Sequence, residues 1–167
     1  MPLRPASEVI GPARAILERE RARLAPLLAD HELILVGGSS VPGALTKGDV
    51  DLHLRVPPDA FDQTVTVLRG VYQVVHPEIW QASLATFAVE APLPAGLAVT
   101  PAGSEHDLRF TRTWQLLAAD PDLLSAHNAV KLRCENLGGE YERQKSAFFD
   151  RLVEIWPDHP AGGGKVR

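Results

Sequence analysis

The chain has 167 residues, 45% of them hydrophobic, enough for one ordinary globular core. Seventeen Lys and Arg stand against 21 Asp and Glu, a net charge of -4 that gives no broad electrostatic reason to bind nucleic acid. The lone Cys134 has no partner for an internal disulfide and no Cys or His nearby at ligand spacing, and no window is apolar for long enough to span a bilayer, so a soluble cytoplasmic protein is expected.

From the N-terminus, Ser7 can cap a helix whose Ile10, Ala13, Ile16, Leu17, Leu24, Leu27 and Leu28 form one stripe, predicting a helix over 8–29 with a break near Gly11-Pro12. LILVGG then reads as a buried strand running into a glycine turn. VDLHLRV alternates: Val50, Leu52, Leu54 and Val56 fall on one face, Asp51, His53 and Arg55 on the other. Pro57-Pro58 stops that strand, and Asp59 is placed to cap a helix through Phe61, Val65 and Leu68 to Gly70. Strands are expected at YQVVH, LATFAVEA and GLAVTPA. The period then lengthens, with helices predicted over Leu108–Ala118, Pro121–Leu137 and Tyr141–Ile155, the last offering Tyr141, Phe148, Phe149, Leu152 and Ile155 as apolar contacts. The order predicts an α+β domain over 1–157: a helix at about 8–29, a sheet region at about 33–102, and helices at about 106–156. Its small mixed β-sheet carries helices on one side and a C-terminal helical layer. DHPAGGGKVR reads as a flexible tail over 158–167.

Residues 36–52, VGGSSVPGALTKGDVDL, carry the chemistry. On a strand Asp49 and Asp51 project from one face about 6–7 Å apart, and two anions that close repel unless a hard cation lies between them. Mg²⁺, or Mn²⁺, suits such a pair because it takes one or two carboxylates and completes its shell with phosphate oxygens and water. Gly37 and Gly38 let the backbone approach a phosphate, and Ser39 and Ser40 add hydroxyl donors. The pattern points to a turn that grips a nucleoside triphosphate beside aspartates that hold metal. Two-metal displacement needs a further carboxylate, and Glu90 in FAVEA is the candidate because it interrupts an apolar strand.

A Gly-Ser turn followed by an Asp-x-Asp strand resembles the active-site pattern of the nucleotidyltransferase superfamily. GGSSVPGALTK followed by VDL is similar to the GrpB-like family, placing Gly37, Ser39, Ser40, Val41, Pro42, Gly43, Lys47 and Asp51 on motif positions. AVTPAGSEHDL, AADPDLL, HNAVKL and YERQKSAFFDRL resemble later family segments, with Tyr141, Lys145 and Phe148 on matching positions. The likeness runs from about residue 30 to 153. Four departures stand out: Gly38 replaces the usual Ser, Gly48-Asp49 gives a fuller Asp-x-Asp, His127 replaces Tyr, and Phe110 and Arg112 only loosely meet a Phe-Arg-Asp helix start.

The resemblance implies a nucleotidyltransferase-like fold and a Mg²⁺-dependent transferase moving a nucleoside monophosphate from a nucleoside triphosphate to a small-molecule acceptor. Asp49 and Asp51 would be catalytic and metal-binding, Glu90 catalytic, and Gly37, Gly38, Ser39, Ser40, Lys47 and Lys145 phosphate-binding. Two other readings stand beside it: a binding module that keeps the nucleotide or phosphometabolite pocket without transfer, and a vestigial pocket whose helical layer meets a partner. Residue by residue, plainer roles compete. Asp49 also suits a turn, Ser39 and Ser40 could merely bend the chain, and Lys47, Lys131 and Lys145 could be solvated lysines. His53 reads as a hydrogen-bonded strand histidine, His76 and His106 as surface residues, and Trp80, Trp114 and Trp156 as packing anchors.

Overall fold

The computed structural model describes residues 2–134 and 139–155. The tail, Trp156, the end of the second C-terminal helix, and the side chains of Cys134 and Tyr141 lie outside the described residues.

The first element is a two-residue strand, β1 (Arg4–Pro5), followed by helix α1 (Ile10–Leu24). Gly11-Pro12 does not break α1: Pro12 falls in the first turn, where a missing N–H has no intrahelical partner to lose. The helix ends at Leu24, earlier than its apolar spacing suggests, and Leu27, in the turn that follows, is 44% exposed. Next come β2 (Glu32–Val36), β3 (Leu45–Thr46), β4 (Val50–Val56), α2 (Phe61–Arg69), β5 (Gln73–Val74), β6 (Ala85–Val89) and β7 (Ala95–Pro101). Asp59 does not cap α2. A 3₁₀ turn over Pro58–Ala60 leads straight into the helix, which starts from Ala60 with no side-chain cap. YQVVH yields only the short β5, because His76 turns into the left-handed region at φ 49 ahead of Pro77.

β1 pairs with β3, and the main sheet runs β2-β4-β7-β6-β5. Its neighbours are antiparallel except β4 and β7, which are parallel. The alternation read in VDLHLRV decides what covers each face. Val50, Leu52, Leu54 and Val56 are all buried against Ala13, Ile16, Leu17 and Leu24 of α1 and Phe61 and Leu68 of α2, which form the main core.

The opposite face is roofed by α3 (Glu105–Ala119), α4 (Pro121–Cys134) and α5 (Gly139–Glu154), which share a second core of Leu117, Val130, Phe148 and Leu152. The arrangement is the expected α+β one, a small mixed sheet with helices on one side and a C-terminal helical layer. Beyond Asp51, which stays open to water, the polar face of β4 is not solvated, however. Arg55 donates to both oxygens of fully buried Asp107, at 2.5 and 2.9 Å, and the Gly103 N–H donates to Asp107 Oδ2 at 2.7 Å. Asp107 itself sits in the first turn of α3, capped by Ser104. His53, also fully buried, lies 2.7 Å from Thr100 Oγ1 and edge-on to Phe110, with its centroid 5.2 Å away. Burial holds this imidazole down to about 4, so it is neutral, outweighing the pull of Asp107.

Candidate nucleotide cleft

At the N-terminal edge of β4 the chain makes a tight turn whose conformation only glycine tolerates. Gly37 has φ 77 and ψ -178, and a Cβ there would stand 2.0 Å from Asp51 Oδ2. The turn therefore seats directly against the Asp51 carboxylate. The two serines after it face inward. Ser39, fully buried, donates to the Asp49 carbonyl and lies 3.1 Å from Thr46 Oγ1, and Ser40 donates to the Gly37 carbonyl at 2.7 Å. Their hydroxyls brace the turn and fix the backbone of Asp49, which corrects the expectation that they point at a phosphate.

Where the family resemblance has a serine, this chain has Gly38, and a lysine fills the space. A Cβ on Gly38 would lie 2.7 Å from Lys131 Nζ, which donates to the Leu45 carbonyl at 2.7 Å. Asn128, one turn earlier on α4, accepts from the Leu45 N–H at 2.9 Å and donates to the Gly43 carbonyl at 2.9 Å. Two side chains of α4 thus hold the loop that carries the motif. Lys131 is 8% exposed, and burial pushes its ammonium down to about 8 although Asp49 and Asp51 favour the charge. The solvated role that competes for Lys131 in the sequence is excluded by this burial. Lys131 stands at i,i+4 from His127 on the buried face of α4, a face that only the packing identifies.

Asp49, Asp51 and Gly37 open onto a cleft of about 820 Å³ between the sheet and the helical layer. By register, the side chains sharing the Asp51 face are Gly96 and Ala98 on β7 and Ala88 and Thr86 on β6, so the floor is made of small residues. Arg109, Phe110, Thr113 and Trp114 of α3 and Glu142, Lys145 and Phe149 of α5 form the walls. Water reaches the Asp51 carboxyl through the mouth, yet the walls around it and then neighbouring Asp49 push it up to about 6, against the pull of Lys145 and Lys131. Lys145 Nζ lies 3.8 Å from Glu142 Oε2, one turn before it. Lys47 is exposed and does not line the cleft.

Glu90 is not brought to the aspartates. It lies just past the end of β6, two strands from β4 and so about 10 Å away across the sheet. It lines a separate hollow of about 390 Å³ with Arg19, Arg23, Ala91 and Pro92, and its carbonyl accepts from Arg19 at 2.6 Å. On the cleft face, the β7 residues beside β4 are Gly96, Ala98 and Thr100. Among the described residues no three His, Cys, Asp or Glu side chains come close enough to hold an ion together. The donor set fits one hard cation: two mutually repelling carboxylates, open to water, facing space for a ligand's oxygens.

No protein-family profile matches the chain. It is 25% identical over 150 residues to a UPF0157 protein of Vibrio cholerae serotype O1, covering 89% of this chain and 79% of that one. The fold superposes on the conserved protein GrpB from Enterococcus faecalis with a TM-score of 0.64 at 15% identity, covering 84% of this chain and 89% of that one. The chain is similar to these GrpB and UPF0157 proteins and has a nucleotidyltransferase-like fold. The Cid1 poly(U) polymerase, solved with Mg and 3'-dATP bound, aligns with a TM-score of 0.57 at 15% identity over 80% of this chain but 43% of its own. GLD-2, in its complex with RNP-8, aligns at 0.57 and 14% identity over 87% and 49%. This chain thus spans less than half of each of those two proteins. Among its described residues no helix is long and apolar enough to cross a membrane.

Proposed function

We propose that the cleft binds a nucleoside triphosphate with one Mg²⁺ ion, or Mn²⁺, and that the protein transfers the nucleoside monophosphate to a small-molecule acceptor. The observation that carries this reading is the joint placement of Asp49 and Asp51 at one end of the cleft, with Gly37 seated against Asp51 and the Lys131 ammonium beside Gly38. The ion would be held by the Asp49 and Asp51 carboxylates and would neutralise phosphate charge. The absent side chains of Gly37 and Gly38 admit the Asp51 carboxylate and the Lys131 ammonium to the turn, Lys131 supplies positive charge in place of a serine hydroxyl, and Lys145 adds a second cation from α5.

The fold likeness to Mg-nucleotide-bound Cid1 supports this placement, while fold alone does not confer the reaction. Calorimetric titration with ATP and GTP, with and without Mg²⁺, is the test. Binding that metal strengthens and that Asp51→Asn abolishes is the expected result. Metal-independent binding that survives the substitution refutes it. A non-catalytic binding module is the second reading, favoured by Gly96, Ala98 and Thr100 standing where β7 would supply a third acid. Pyrophosphate release that stays at background with every acceptor offered, while Mg-dependent binding persists, selects that alternative.

A further inference from the structure

We infer that the part of the cleft on the β7 side of Asp51 is the acceptor subsite, and that it takes a small, flat molecule carrying a ring-bound hydroxyl. The inference rests on the transfer reading above and names its missing substrate class. Direction comes first. In an in-line displacement the attacking and leaving oxygens lie on opposite sides of the phosphorus. The glycine turn and Lys131, which would receive the departing pyrophosphate, lie on the β2 side of β4, since Gly37 directly follows β2. The acceptor oxygen must then arrive from the other side, over β7.

The shape there fits a ring. The floor is Gly96, Ala98 and Ala88, whose small side chains leave depth beneath the roof, and the aromatic faces and edges of Phe110, Trp114 and Phe149 enclose it. Thr113, on the same wall and 1% exposed, holds a hydroxyl with no hydrogen-bond partner among the described residues. A polar atom on a ligand would satisfy that unmet group. The charge pattern disfavours a polynucleotide. Arg109 is bound to Asp150 at 2.6 Å, Lys145 stands beside Glu142, and the chain carries a net charge of -4, so the described residues form no cationic track for a phosphate backbone.

In the step itself the acceptor hydroxyl oxygen bonds to the α-phosphorus. The bond from that phosphorus to the α–β bridging oxygen breaks, pyrophosphate departs toward the turn, and the hydroxyl proton passes to water in the open cleft.

The full chain is tested with 2-naphthol as probe, by saturation-transfer NMR, with Mg·ATP affinity measured in parallel by calorimetry. Filling the floor with Ala98→Phe, or with Ala88→Leu should the first variant fail to fold by circular dichroism, is expected to weaken 2-naphthol at least about tenfold and leave Mg·ATP affinity within about twofold. Thr113→Val is expected to weaken 2-naphthol about fivefold, the worth of one hydrogen bond. Unchanged 2-naphthol affinity in the floor variants overturns the proposal. So does loss of Mg·ATP binding in them, which would give the floor to the nucleotide, or displacement of 2-naphthol by an oligouridine at micromolar concentration. Overturned with wild-type Mg·ATP binding intact, the proposal falls alone; a wild type that does not bind Mg·ATP takes down the transfer reading as well.

Discussion

Gly37→Ala tests the contact on which the site depends. At φ 77 and ψ -178 a non-glycine residue costs about 1–3 kcal/mol of backbone strain. The added methyl carbon would stand 2.0 Å from Asp51 Oδ2, 2.9 Å from Cγ and 3.0 Å from Cβ. Rotating the carboxylate does not relieve all three contacts, so either β4 or the turn has to move. Taken with the strain, the loss should reach about 2–3 kcal/mol, a fall in Tm of roughly 4–12 °C for a domain of this size. Mg²⁺ enhancement of ATP binding should vanish with it, because the carboxylate is pushed out of line with Asp49. Scanning calorimetry and titration calorimetry read the two effects separately. A Tm within about 1 °C of wild type, or a destabilised protein that keeps full Mg²⁺ enhancement, would show that the turn does not set the position of Asp51.

Lys131→Met should lower Mg·ATP affinity by about tenfold or more, the worth of a charge-assisted hydrogen bond, and lower Tm by about 2–4 °C, because the Leu45 carbonyl loses its donor; equal affinity removes Lys131 from the phosphate site. Asp107→Asn should cost about 3 kcal/mol in urea denaturation, the low end for a broken buried pair because the Arg55 side chain is 27% exposed; a loss below about 1 kcal/mol contradicts the clamp. His127, buried among Trp114, Phe148 and Phe149, has its imidazole pushed down to about 3, by burial first and then by Lys131 and Lys145. Its stabilising contribution is present above pH 6.5 and is lost as pH falls toward 3, at up to about 1.4 kcal/mol per unit, so His127→Phe should flatten acid unfolding across that window. Identical pH profiles for variant and wild type would refute the assignment.

Periodicity reads local order well, and so β4 falls at Val50–Val56 as its alternation requires. It cannot tell which face receives a roof. Arg55 and Asp107 are 52 residues apart, and only their pairing shows that the polar side of β4 is interior. The same limit applies to the site. Asp49, Asp51 and Gly37 come from one short stretch of the sequence and all line the cleft. Lys131 comes from a distant helix, and Thr113 is one threonine in an ordinary amphipathic run, so neither is visible without the packing. Glu90 interrupts an apolar run in the sequence, but β6 ends one residue before it. The inward turn of Ser39 depends on Thr46 and on the Asp49 carbonyl, contacts that composition does not encode.

The bond between Asp107 and Arg55 has a further consequence. A helix that slid by one turn would strand both charges, so α3 is keyed to the strand that bears Asp51, and the headroom above the floor is a constant of the architecture. Accommodation to guests of different bulk therefore falls to α5, which meets α3 through apolar packing of Leu117, Phe148 and Leu152 and through Arg109 and a 60%-exposed Asp150, contacts that can slide without stranding a buried charge.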